Sequence, residues 1–180
     1  MPIAAYIVTG EDWSIKGPQT PAQELLHAYG RAVDNYGYEQ GSGLQFYSKD
    51  VVFHNQNNVD YHGASQMWPW MKQLFGQFAK MRHDILRLTE VKEEGAESSF
   101  LTVQMKRNIW LPGNTSDVPD VSAPMAFFCR TGPGDDPQAV GGLQMTEVWI
   151  YWDTALLAPF LSQDAVVFRT KNPFESEGAS

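Results

Sequence analysis

The order of elements predicts an α+β chain with helices packed on one face of a strongly curved, mainly antiparallel sheet. Three observations carry this. Amphipathic helical stripes dominate the first half, over Pro21 to Tyr36 and Ala64 to Ala79. From Met81 onward the apolar period changes to that of strands, four of them separated by turn signals. The last, inside Gly142 to Leu161 (GLQMTEVWIYWDTALLAPFL), is the longest fit to β-propensity and is apolar at both parities. Val148, Ile150 and Trp152 share one face and Trp149 and Tyr151 the other, so both faces are expected to be covered.

Taken in order, Met1 to Thr20 shows no sustained period and is expected to be an arm that packs without building the core. Thr20-Pro21-Ala22-Gln23 supplies a hydroxyl N-cap and a proline at the first helical position. Leu25, Leu26, Tyr29, Val33 and Tyr36 continue that helix to the glycines at 37, 41 and 43. A short helical segment, Leu44 to Tyr47, leads into the strand Val51 to His54, a polar loop and the turn His62-Gly63. The next helix, Ala64 to Ala79, presents Met67, Trp70, Met71, Leu74, Phe75 and Phe78, with Pro69 early enough to be tolerated. Strands His83 to Val91 and Phe100 to Leu111 flank a charged turn and form a hairpin; Val121 to Arg130 is a further strand. Val166 to Phe168 is read as a small added element, and Lys171 to Ser180 as a frayed tail.

At 180 residues the expectation is one domain, spanning residues 21–161, with an arm at 1–20 and an extension at 162–180. The single cysteine, Cys129, cannot form an internal disulfide, and with no signal peptide pattern and no long apolar run a cytoplasmic location is expected. A net charge of -8 argues against nucleic acid and anionic membranes as partners. Six tryptophans suit a large core, a subunit interface and an aromatic pocket alike. No histidine pair has metal-ligand spacing, no GxGxxG or phosphate loop occurs, and neither metal nor cofactor is expected.

Three pieces together resemble the cone-shaped fold of the SnoaL-like and nuclear transport factor 2-like superfamily, which includes ketosteroid isomerase, limonene epoxide hydrolase and scytalone dehydratase. They are Asp50 to Asn55 with Gly63 following, the helix Ala64 to Phe78, and Glu147 to Asp153 before Leu156-Leu157. The resemblance implies a cofactor-independent enzyme of secondary metabolism that isomerises, cyclises or dehydrates a polyketide- or terpenoid-like molecule. The alternative is a non-catalytic binding or dimerisation module of the same fold. Tyr29 matches the oxyanion-binding tyrosine of the isomerases, and Asn55 stands where they carry a carboxylate base. The Arg-x-Asp pair of the epoxide hydrolases falls at Gln104 and Lys106, and their last aspartate, like that of SnoaL-like cyclases, at Ile150. The histidine pair of scytalone dehydratase falls at Ile85 and Trp110.

If strand parity carries over from the resemblance, Gln104, Lys106, Asn108 and Trp110 face Thr146, Val148, Ile150 and Trp152 across a pocket, with Phe53, Met125 and Phe127 completing its wall. Lys106 is then a base of lowered pKa or a charge that polarises a carbonyl, the alternative being an edge-strand surface lysine. His83 is the other candidate for proton transfer, while Tyr29 and Asn55 would hold substrate oxygens. Glu147 has a chemical role if a bulge precedes Trp149, and an interface role otherwise. Asp153 is read as a helix N-cap. The outer face, Trp149 and Tyr151 with Val103, Met105 and Ile109, predicts a homodimer.

Overall fold

The computed structural model describes residues 3–35, 41–56 and 58–156. Residues 157–161, the 162–180 extension and the Val166 to Phe168 element lie outside them. Strands β1 (Ile3–Thr9), β2 (Tyr47–His54), β3 (Asp60–His62), β4 (Lys80–Glu93), β5 (Ser99–Trp110), β6 (Val121–Pro133) and β7 (Leu143–Trp152) form one sheet in the order β1-β4-β5-β6-β7-β2-β3. Every pairing is antiparallel except β2 with β7, so a crossover brings the early strand back beside the last one. The sheet is curved and unclosed. Bulges with Leu86 as the extra residue on β4 and Thr146 as the extra residue on β7, opposite Arg130/Thr131, interrupt its long ladders, and such bulges bend strands and increase twist. No helix among the described residues is long and apolar enough to cross a membrane.

Three helices accompany the sheet: α1 (Gly10–Lys16), α2 (Pro21–Asp34) and α3 (Ala64–Phe75). Residues 3–16, where the sequence shows no sustained period, thus form an edge strand and a short helix. The start of α2 is as expected, with the Thr20 hydroxyl accepting from the Gln23 amide at 3.2 Å and Pro21 in the first turn. That end is also clamped to the sheet. The buried Glu90 carboxyl on β4 accepts from Thr20 Oγ1 at 2.5 Å, Gln23 Nε2 at 3.1 Å and Ser99 Oγ at 2.8 Å.

The expected helix over Leu44 to Tyr47 shrinks to one turn, in which the Phe46 and Tyr47 amides both donate to Gly43 O, and Tyr47 already belongs to β2. Gly43 has φ +82°, and a Cβ there would meet the Trp68 ring at 2.7 Å, so a close approach as well as a turn demands glycine. Helix α3 ends at Phe75, earlier than the apolar stripe suggests, because the chain turns at Gly76 and the Ala79 amide joins the sheet at Trp110 O. Asp153 does cap the turn after β7, its carboxylate accepting from the Ala155 amide at 2.9 Å.

Parity corrects the expectation for β5. Direct cross-strand partners share a face, and Val103 pairs with Phe127, which pairs with Ile150. The core face of β5 is therefore Leu101, Val103, Met105, Arg107 and Ile109, all buried. Gln104 and Lys106 lie exposed on the outer face, and Val103, Met105 and Ile109 are core rather than interface residues. Asn108 and Trp110 share the outer parity but are covered: Asn108 bonds Asp84 and Ser122, and Lys80 lies 4.5 Å from the Trp110 ring. On β7, Val148, Ile150 and Trp152 face the core as expected, while Tyr151 is exposed. The irregularity opposite Thr131 leaves Thr146 half-buried and puts Met145 in the core instead.

Candidate active site

A buried cluster joins ionisable groups to a cavity where the end of α2 meets β4 and β5. Asp34 is the last residue of α2, His83 lies near the start of β4, and Arg107 is the direct partner of His83 on β5. The Asp34 carboxylate grips His83 twice. Oδ2 accepts from the His83 amide at 3.0 Å, and Oδ1 lies 2.6 Å from Nδ1. Arg107 Nε donates to His83 Nε2 at 2.8 Å. Because arginine only donates, Nε2 must be the acceptor; the ring proton therefore sits on Nδ1 and points at Asp34.

The imidazole is neutral in this arrangement. Burial lowers its pKa below the ordinary 6.5, and the Arg107 charge adds to the effect, against an opposing pull from Asp34. Arg107 is 3% exposed on a strand face otherwise made of aliphatic side chains. Its guanidinium carbon lies 4.6 Å from the Trp152 ring centroid and 5.0 Å from that of Phe75. Burial brings its pKa down to about 10, which leaves it charged at neutral pH.

The cavity, of about 40 Å³, is lined by Tyr29, Val33, His83, Met105, Arg107 and Phe127 among others. Its wall is overwhelmingly apolar, so the imidazole and guanidinium are its principal polar features. Tyr29 packs its ring on Phe127 and edge-on to Tyr47, and its hydroxyl donates to Met71 Sδ at 3.4 Å. Burial raises the pKa of both tyrosines, so both are neutral, and the Tyr47 hydroxyl is buried without a hydrogen-bond partner.

The site residues expected from sequence divide accordingly. Tyr29, His83, Met125 and Phe127 line the cavity. Trp152 backs it through Arg107, whereas Val148, Ile150 and Phe53 belong to the core behind it. Asn55 sits in the β2–β3 turn, where its amide donates to Val59 O and its side chain accepts from the Gln56 amide. Glu147 faces outward, 3.1 Å from Arg130 Nε and 3.3 Å from His54 Nε2. Lys106 and Gln104 lie on the opposite side of the sheet from the cavity.

Asp34 and Arg107 are the members that sequence reasoning missed. The signal for Arg107 is a charge within the alternation Leu101, Val103, Met105, Ile109, since a charged residue rarely occupies the apolar face of a strand without a partner. Asp34 has no comparable signal, because a carboxylate at a helix end is ordinarily solvated. Among the described residues no three His, Cys, Asp or Glu side chains come together as a metal site.

No protein-family model matches the sequence, and no curated protein matches it. Solved structures do. A protein from Shewanella putrefaciens assigned as a SnoaL-like polyketide cyclase is 15% identical with a TM-score of 0.56, over 87% of this chain and 95% of that one. A Novosphingobium aromaticivorans protein assigned as a scytalone dehydratase is 11% identical with a TM-score of 0.58, over 73% and 81%. Hexachlorocyclohexane dehydrochlorinase LinA-type3 from Novosphingobium barchaimii is 12% identical with a TM-score of 0.57, over 74% and 84%. With the curved sheet, its helical cover and these likenesses together, the chain has the fold of the SnoaL-like and nuclear transport factor 2-like superfamily.

Proposed function

We propose that this protein is a cofactor-independent acid/base enzyme that moves a proton on an oxygenated, largely apolar small molecule of the polyketide or terpenoid kind. The observation that carries the reading is the 2.6 Å contact between Asp34 and His83 at an apolar cavity. Asp34 fixes the tautomer and stabilises the imidazolium that forms, and the Nε2 lone pair is the base. A C–H bond beside a carbonyl breaks, its proton goes to Nε2, and its electron pair moves onto the carbonyl oxygen as an enolate. Return of the proton to the γ-carbon of a conjugated enolate gives isomerisation. Attack of the enolate carbon on a second carbonyl closes a ring, the imidazolium returning its proton to the alkoxide so formed, and departure of a β-hydroxyl that takes the proton gives dehydration. All three balance without an oxidant or reductant.

Support comes from the likeness to a protein assigned as a polyketide cyclase, another assigned as a dehydratase, and a dehydrochlorinase. Conversion of hydroxylated cyclic ketones by the purified protein, followed by chromatography, tests the proposal. Wild type converts a member of the panel and His83→Asn does not; equal conversion by both would remove His83 from the chemistry. A second reading, a dimerisation module without catalysis, is favoured by the cavity's size, about 40 Å³, which holds roughly three waters. Neither binding nor conversion of any panel member would select it.

We also propose that the protein is a homodimer joined through the outer sheet face. Phe100, Phe128, Trp149 and Tyr151 form a contiguous aromatic patch there, with ring centroids 5.9 to 6.5 Å apart in successive pairs. Arg130 lies over Phe100, and His54 stacks on Trp149.

A further inference from the structure

Arg107 occupies the base that the proposed reaction needs. Its Nε–H fills the only lone pair of His83, so a substrate C–H cannot be deprotonated while that 2.8 Å bond stands. Arg107 is also incompletely satisfied. Nη1 is buried with no hydrogen-bond partner, and no carboxylate forms an ion pair with this guanidinium among the described residues. Aromatic rings attract the cation without accepting its in-plane N–H groups in hydrogen bonds, so Phe75 and Trp152 do not fill that role. A buried charged donor without an acceptor is costly, and a site that keeps one is built around an acceptor supplied from elsewhere.

Resting on the acid/base reading above, we infer that Arg107 is the receptor for a carboxylate of the substrate, and that binding this anion draws the guanidinium off His83 Nε2 and so frees the base. The substrate class is then a carboxylic acid whose reacting carbon lies next to the acid-binding group. Charge supports an acid over a neutral ketone. Asp34 directs both of its bonds to His83 and forms no ion pair with Arg107, so the guanidinium at this apolar wall has no carboxylate in direct contact. Planar two-oxygen acceptors match a guanidinium fork, here the end formed by the unpartnered Nη1 together with Nη2. The unliganded protein holds its base capped, which protects a buried imidazole from protonation, and only a ligand carrying the anion uncaps it.

The experiment titrates formate and acetate, with formamide and acetamide as neutral counterparts, into the full chain. Binding is read by calorimetry and by the nitrogen resonances of His83. Both carboxylates are expected to bind and to shift Nε2, and the amides to bind about tenfold or more weakly, the loss typical of a charge-assisted hydrogen bond. Arg107→Gln is expected to lose about tenfold or more in carboxylate affinity and Arg107→Lys less, while His83→Asn, which removes the bond that binding must break, is expected to lose none and to gain if anything. Amides binding as well as acids, absence of carboxylate binding, or equal losses in the Lys and Gln variants would each overturn the inference. Should Arg107→Gln fail to fold, the acid-against-amide contrast in wild type decides alone. Carboxylate binding is read without turnover, so a catalytically normal His83→Asn variant would sink the acid/base reading and the uncapping of a base with it, and leave Arg107 standing as the carboxylate receptor.

Discussion

In the proposed reaction, His83 and its two neighbours divide the work of a general base between them. Asp34 sets the tautomer, burial keeps the imidazole neutral, and Arg107 supplies a charge beside it. Asp34→Asn is expected to lower kcat by about 10²-fold or more, since an amide offers one acceptor oxygen for the two donors that Asp34 holds and no charge to stabilise the imidazolium. The pH dependence has a definite sign. A depressed histidine pKa means that the unfolded chain binds the proton more readily than the folded one. Stability contributed by neutral His83 is thus present above 6.5 and is lost as pH falls through that value toward the folded pKa. Activity should follow the same limb, with kcat/KM of wild type falling on acidification at a midpoint below 6.5. A pH–rate profile checks this, and a midpoint above 6.5 would mean that a different group titrates.

Strand β5 is where local pattern and borrowed parity disagree. The alternation Leu101, Val103, Met105, Ile109 identifies the buried face from the sequence alone, and it would have placed Arg107 beside the cavity. Transferring a site from relatives shifted the strand by one residue, which exchanges its two faces completely. Leu101→Ala is expected to cost about 2–5 kcal/mol, whereas Gln104→Ala and Lys106→Ala stay within about 0.5 kcal/mol, measured by denaturant unfolding. Helix α2 makes the complementary point. Its cap, Thr20-Pro21, was legible, but its attachment to Glu90, seventy residues away, was not, since only the folded chain brings the three donors together. Glu90→Ala should destabilise by about 1–3 kcal/mol by orphaning buried Gln23, and should loosen the helix that carries Tyr29 and Asp34.

At the scale of the molecule, element order and the period change at Met81 were enough to give the α+β sheet with its helical cover. Cross-strand register was not readable, because it depends on irregularities such as those at Arg130/Thr131 that leave no composition mark. The site is half legible for the same reason: Tyr29 and His83 are recognisable chemical types, while Asp34 and Arg107 acquire meaning only when α2 and β5 are set against β4. The two faces of β7 separate as their parity implies, Val148, Ile150 and Trp152 inward and Tyr151 outward. Sedimentation velocity at micromolar concentration should therefore show a dimer for wild type and a monomer for the Trp149→Glu, Tyr151→Glu double variant; monomeric wild type would refute the interface.

The central claim, that His83 held by Asp34 is the proton-transfer group, is tested most directly by deuterium uptake. Cyclic ketones bearing a carboxylate are incubated with the protein in heavy water, and incorporation beside the carbonyl is followed by proton NMR. Wild type and Lys106→Ala should exchange at the same rate, and His83→Asn should be slower by about 10²-fold or more. Exchange that survives in His83→Asn and disappears in Lys106→Ala would contradict the account.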